Sequence, residues 1–198
     1  MKKRLVVAIC GASGAIYGIR LLSALLTRPV LIHLVISGAG RQVLAHETAY
    51  GGETFATFLK KTGTAFHPEA ELMEWAPDNF FAPPASGSFR HDGMVIAPCS
   101  MGSLGQIVSG TAGNLIHRAA DVCLKEGRPL ILMPRETPLS RIHLTNMLAA
   151  NEAGATLIPC TPSFYSAPAS VTALVDTVVA RVLDRLSIPQ TLTPEWGG

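Results

Sequence analysis

Charge is what this 198-residue chain has least of. Asp, Glu, Lys and Arg make up 15% of it, against about 25% in an average soluble domain. Sixteen basic and fourteen acidic residues leave a formal net charge of +2. Apart from the opening Lys2-Lys3-Arg4 no basic block stands out, which excludes the electrostatic footprint of a nucleic-acid binder. Long apolar runs are missing as well. The two longest charge-free stretches are Gly93–Ile116, broken by five glycines with Gln106 and Asn114, and Ala153–Val175, broken by Pro159, Pro162 and Pro168. Neither supplies the ~20 continuous apolar residues of a membrane-spanning helix. The start imitates a secretory signal, but the apolar run Leu5–Cys10 is six residues long and breaks at Gly11. That is short of the ~7–15 such a signal needs, so a cytoplasmic location is expected. The four cysteines (Cys10, Cys99, Cys123, Cys160) form no CxxC pair and adjoin no histidine cluster, which predicts buried reduced thiols rather than disulfides or a metal site. No aspartates pair closely, and there is no GxxxxGK[ST] loop and no HExxH. Magnesium–diphosphate, P-loop and zinc-hydrolase chemistry are thereby set aside. A surface this poor in charge predicts cover by further copies of the chain, a homo-oligomer.

What is present has a regular rhythm. Short runs that are apolar on both faces, Leu5–Ile9, Val30–Ile36, Met94–Ala97, Leu130–Met133 and Thr156–Ile158, read as strands of a parallel sheet covered by helices. Between and after them Ala15–Leu26, Ala39–His46, Asn114–Lys125, Arg141–Glu152 and Val171–Leu186 have helical spacing. The alternation predicts an α/β fold, a single-domain Rossmann-like (flavodoxin-like) parallel sheet flanked by helices. Its extent is residues 1–187. The tail 188–198, with Pro189, Pro194 and Trp196, is expected to pack on a neighbouring subunit.

Four constellations stand where such a sheet binds ligands, or line up on a helix. Gly11-Ala12-Ser13-Gly14-Ala15-Ile16-Tyr17-Gly18 joins the first strand to the first helix. Glycines admit a ligand to the backbone, and the helix start offers N–H groups and positive dipole to an anion. The spacing is not GxGxxG, and the second strand ends at Ser37-Gly38-Ala39 without an acidic residue for a ribose. A mononucleotide or flavin phosphate therefore fits better than a dinucleotide; the bland alternative is a tight βα turn. Cys99-Ser100-Met101-Gly102-Ser103 follows another strand and suits polar ring atoms or phosphate, unless Ser100 simply caps the next helix. Pro134-Arg135-Glu136-Thr137-Pro138 places an Arg able to pair with phosphate beside a Glu able to act as acid or base, or else a surface ion pair. Asn114, Arg118, Asp121 and Lys125 form a helical line that usually marks a solvated face. Glu47 ends a helix, where the dipole disfavours a carboxylate.

The segments Gly11–Gly18 and Pro134–Pro138, together with Ala82-Pro83-Pro84-Ala85-Ser86-Gly87-Ser88, Arg118-Ala119-Ala120-Asp121-Val122, Arg128-Pro129-Leu130 and Phe164-Tyr165, resemble the UbiX/Pad family of flavin prenyltransferases, a likeness that runs from the first strand to Trp196. The resemblance implies that reduced FMN is bound as a substrate, with no metal required. A dimethylallyl group from dimethylallyl phosphate is then joined to flavin N5 and C6, making prenylated FMN for UbiD-type decarboxylases and, downstream, ubiquinone biosynthesis. It implies that Gly11, Ala12, Ser13, Ser37, Ser100, Met101, Gly102, Ser103 and Arg135 hold FMN. Arg118, Lys125, Glu136, Tyr165 and Arg181 would surround the dimethylallyl phosphate, with Trp196 from a neighbour near the allylic fragment. Ser13, Glu47 and Glu136 would serve proton transfer, in a homo-oligomer, commonly a dodecamer, with sites at subunit junctions. The sequence departs from the family at Cys10, where Thr or Ser is usual, at Gly38, where Lys often stands, and at Phe80, where Trp is often seen.

Two other readings share the flavin. A cysteine decarboxylase of the same fold would carry a PxMNxxMW-type segment, whereas Arg141-Ile142-His143-Leu144-Thr145-Asn146-Met147-Leu148 has neither the proline nor the tryptophan. A non-catalytic FMN carrier would need the cradle but not Lys125, Glu136, Tyr165 and Arg181 together.

Overall fold

In the computed structural model, which describes residues 2–194, the chain alternates strands and helices. In order they are β1 (Lys3–Ile9), α1 (Ala15–Leu26), β2 (Val30–Ile36), α2 (Gly38–Glu47), α3 (Phe55–Lys61) and β3 (Glu71–Trp75). A 3-10 turn over Pro83–Ala85 precedes β4 (Met94–Cys99), α4 (Met101–Val108), α5 (Leu115–Lys125) and β5 (Leu130–Pro134). The last three are α6 (Arg141–Glu152), β6 (Thr156–Leu157) and α7 (Val171–Arg185). All strand pairs are parallel, in the order β3-β2-β1-β4-β5-β6. That is a doubly wound sheet, and its order reverses between β1 and β4.

The alternation of side chains along β1 divides the interior in two. Leu5, Val7 and Ile9 face a core closed by α1 (Leu21, Leu22, Leu25), α7 (Val175, Val179, Val182) and α3 (Phe55, Phe58). Val6, Ala8 and Cys10 face a second core closed by α4 (Leu104, Ile107) and α5 (Leu115, Ala119, Cys123). Helices on both faces explain why the strands read as continuous apolar runs.

Three elements differ from the sequence reading by having no matching expectation. β3 is an edge strand whose Glu71 is exposed and hydrogen-bonds Lys2. Its partners are limited to β2, so its sequence need not be apolar on both sides. α3 is seven residues long, too short to show a period. α4 carries Gly102 and Gly105, poor helix formers, and is held by its Ser100 cap and by burial of Met101, Leu104 and Ile107. The described part of the tail packs on its own chain: Ile188 is buried, Leu192 rests against the first core, and Arg28 donates to the Pro189 carbonyl at 2.7 Å. Among the described residues no helix is long and apolar enough to cross a membrane.

Away from the strand ends, β2 carries a buried histidine. His33 accepts a hydrogen bond from Trp75 Nε1 at 3.0 Å and meets Phe89 edge-on, while its Nε2 has no partner among the described residues. Burial, then the charges of Arg4 and His91, push its pKa down to about 4 from an ordinary 6.5. Burial acts in the same direction on His117. Between those two values the unfolded chain binds a proton at His33 that the folded chain refuses. Stability is therefore complete above the ordinary value, falls as pH drops through the window and levels off near 4. The His33 contribution to that fall is up to about 3 kcal/mol. Thermal melts from pH 7 to pH 4 should show the decline, and His33→Leu should flatten it; an unchanged slope in the variant would assign the acid loss to other groups.

Candidate active site

At the carboxyl edge of the sheet the connections from β1 and β4 leave toward opposite faces, which opens a crevice. Three helices begin there. At the start of α1, Gly14 takes a left-handed conformation with φ 103°, which glycine adopts without strain. α2 is capped by the Ser37 hydroxyl, which accepts from Gly40 N at 2.9 Å. α4 is capped by the Ser100 hydroxyl, which accepts from Ser103 N at 3.2 Å. Ser100 is thus both helix cap and strand-end residue. Gly11 is required by packing, since a Cβ there would lie 2.5 Å from Ala39 Cβ. Gly38 and Gly102 differ: a Cβ on either would meet nothing within 4 Å. The first turns of α2 and α4 hold no acidic residue, so two positive helix ends, each capped by a serine, face open space at Gly38 and Gly102.

The first helix end is already filled. Glu47 closes α2, yet its carboxylate accepts from Gly14 N (3.1 and 3.0 Å) and Ala15 N (2.8 Å). The misfit of an acidic residue at a helix C-terminus is resolved because the side chain lies at the N-terminus of α1. The anion that the Gly11–Gly18 turn offers to hold is, at this point, the protein's own. Burial raises the Glu47 pKa, but hydrogen bonds from Ser13, Ala15 and Gly14 and the charge of Arg135 outweigh it, leaving it below the ordinary carboxylate value. Glu47 is held ionised and in contact with the Ser13 hydroxyl.

Beneath α4 the hydroxyls form a chain. Ser100 Oγ donates to Ser103 Oγ at 3.1 Å, and Ser103 Oγ donates to Cys10 Sγ at 3.3 Å. Burial pushes the Cys10 thiol up to about 11, against the opposing pull of Ser103 and the Ser100 N–H. Burial also raises Cys99 well above its usual value and Cys160 to about 12. The three strand-end thiols stay protonated and carry no nucleophile.

From β5, Arg135 reaches across the crevice and donates from Nε to the Ser13 carbonyl at 2.9 Å. The neighbouring Glu136 is exposed, and its carboxylate accepts from Thr137 N at 2.9 Å. One chain thus gathers Gly11, Ala12, Ser13, Ser37, Glu47, Ser100, Met101, Gly102, Ser103, Arg135 and Glu136 at the strand ends. Tyr165, 85% exposed, stands in the loop that leaves β6 at the same edge. Three predicted cations are paired, within this chain, with groups outside that set. Arg118 donates to the Ala85 carbonyl and pairs with Asp121. Lys125 ends α5, at the opposite end of β5 from Glu136, and pairs with Glu126. Arg181 lies in the third turn of α7 and pairs with Asp184 at 3.3 Å. Trp196 falls outside the described residues. Cys10, expected from the sequence to be a buried thiol and a departure from the family's usual Thr or Ser, adjoins the site through Ser103. Among the described residues no group of three or more acidic, Cys or His side chains could hold a metal ion.

The sequence profile of the family described as Flavoprotein matches residues 1–183. The chain is 45% identical over 197 residues to the flavin prenyltransferase UbiX of Pseudomonas aeruginosa, covering 98% of this chain and 94% of that one. The chain belongs to the flavin prenyltransferase family. Solved structures agree. A crystal structure of AnUbiX (PadA1) in complex with FMN and dimethylallyl pyrophosphate superposes with a TM-score of 0.89 at 40% identity, covering 100% of this chain and 99% of that one. A dodecameric FMN-dependent UbiX-like decarboxylase from Escherichia coli O157:H7 superposes at 0.88 and 42% identity, covering 98% of this chain and 100% of that one. Flavin prenyltransferase relatives thus span essentially the whole length over which the crevice is built.

Proposed function

We propose that the protein joins a dimethylallyl group, from a dimethylallyl phosphate ester, to N5 and C6 of reduced FMN, and that the product serves a UbiD-type decarboxylase. The observation that carries this reading is the open pair of helix ends at α2 and α4, flanked by Ser37, Ser100, Ser103 and Arg135, with Glu136 at the rim. The residues present fit FMN: two positive helix ends suit a phosphate, and the serine oxygens beside them suit a polar ring. FMN supplies the nucleophilic ring atoms. In the transfer the allylic C–O bond would break with its electron pair on the phosphate oxygen as carbon bonds to N5, which gives up its proton; closing the second bond would then place one proton on the allyl double bond and release one from C6. Cations stabilise the departing phosphate without a metal. We assign Arg118, Lys125 and Arg181 to that task from neighbouring copies of the chain, because within its own chain each pairs with groups other than the crevice residues. The exposed apolar residues Ile142, Leu144 and Leu148 on α6 support such an assembly. Tyr165 and Trp196 complete the donor side. Glu136 takes the proton, and Glu47, held ionised, orients the Ser13 hydroxyl beside it. The free thiols fit a reducing cytoplasm.

The test is anaerobic: protein, FMN, dithionite and dimethylallyl phosphate, with mass spectrometry of the extracted flavin. A flavin heavier by one prenyl unit is expected. Unmodified FMN, with binding verified, would overturn the reading in favour of a carrier or a decarboxylase.

A further inference from the structure

We propose that Cys10 is a positioning residue of the flavin cradle: its sulfur takes the hydroxyl proton of Ser103 and so turns that oxygen's lone pair toward the ligand. The inference rests on the functional reading above and deepens it. A count of donors and acceptors carries it. Ser100 Oγ accepts from Ser103 N at 3.2 Å and donates to Ser103 Oγ at 3.1 Å. Ser103 Oγ accepts that proton and spends its own on Cys10 Sγ at 3.3 Å. Both hydroxyl protons are consumed inside the protein, so each oxygen has only a lone pair left for the crevice. Phosphate oxygens offer no hydrogen to such a surface, whereas an N–H of the flavin ring does. Cys10 itself is 1% exposed and cannot touch the ligand; it acts through Ser103. Without an acceptor at position 10, the Ser103 proton is released from its inward bond and can swing outward, where it opposes a ring N–H donor with another donor.

Alanine and serine are nearly equal in volume and differ in the acceptor, so the pair separates hydrogen bonding from packing. FMN binding to the full-length protein is measured by quenching of flavin fluorescence, alongside KM for FMN, kcat and thermal melts. Cys10→Ala is expected to weaken FMN binding about fivefold to tenfold, the range of one neutral hydrogen bond. KM should rise by the same factor and kcat should stay within about twofold. Cys10→Ser, and Cys10→Thr as a second variant that refills the volume, should restore binding to within about twofold of the native chain. In a Ser103→Ala background Cys10→Ala and Cys10→Ser should bind FMN equally. Equal weakening by Cys10→Ala and both hydroxyl variants would mean that Cys10 only fills space and would overturn the proposal while leaving the functional reading intact. Failure of the native chain to bind FMN would overturn both.

Discussion

Glu136→Gln is expected to bind FMN as tightly as the native chain and to prenylate it at least a hundredfold more slowly. The amide keeps the shape of the side chain, and its oxygen can still accept from Thr137 N, so the turn after β5 has no reason to move. What is lost is the capacity to accept a proton, and a positioned acid or base contributes about a hundredfold to ten-thousandfold. The loss should therefore fall on kcat. A fluorescence titration and a time course of the anaerobic reaction separate the two quantities. Turnover at the native rate would remove Glu136 from the catalytic assignment; loss of FMN binding would make it a binding residue instead.

The second large effect concerns α1, whose start follows Ser13 and receives the Glu47 carboxylate from α2. Gly18 lies in the second turn of α1, and a Cβ there would stand 2.4 Å from the Ala97 carbonyl oxygen and 3.1 Å from two atoms of Ile9. The oxygen belongs to β4, a central strand paired on both sides. It cannot yield as a flexible side chain would, so α1 must lift off the sheet. Overpacking of this kind costs about 3 kcal/mol at the upper end of its range. The better helix propensity of alanine offsets about 1 kcal/mol of that. Gly18→Ala should thus lose about 2 kcal/mol and melt about 5 °C lower. A higher melting temperature, as propensity alone would give, would mean that α1 and β4 are not in such close contact.

The parts of the fold that were legible in the sequence are those where one physical demand dominates. Strands β1, β2, β4 and β5 are buried on both faces and so are apolar over most of their length, apart from Lys3 and Arg4 at the start of β1 and His33 in β2. Helices α1 and α7 show their buried stripe. β3 was illegible because an edge strand with exposed Glu71 and Met73 satisfies neither pattern. α4 was hidden by its glycines, although Ser100 announced its start. In the site, the sequence placed Ser13, Ser37, Ser100, Ser103, Arg135 and Glu136 at strand ends, and the structure brings them to one edge. The odd position of Glu47 was visible as a carboxylate at the wrong end of a helix. Its resolution was not, because the α1 terminus that receives it lies 33 residues away in the chain. Arg118, Lys125 and Arg181 show the opposite limit. Residue type says that a cation is available, and nothing in spacing along one chain says which copy of the chain will use it.

The two-sided burial of β1 has a consequence for how substitutions combine. Val7 and Ala8 are neighbours in sequence, but they answer to different helices across a sheet that neither side chain crosses. Changes at such positions share few partners, and their effects should sum, whereas changes at Val7 and Leu21 within one core should not. The layer of α4 and α5, with the cradle serines at its edge, can therefore be altered without renegotiating the layer of α1 and α7. A strand usually regarded as the middle of one core works here as a party wall, and variation on either side of it is nearly private.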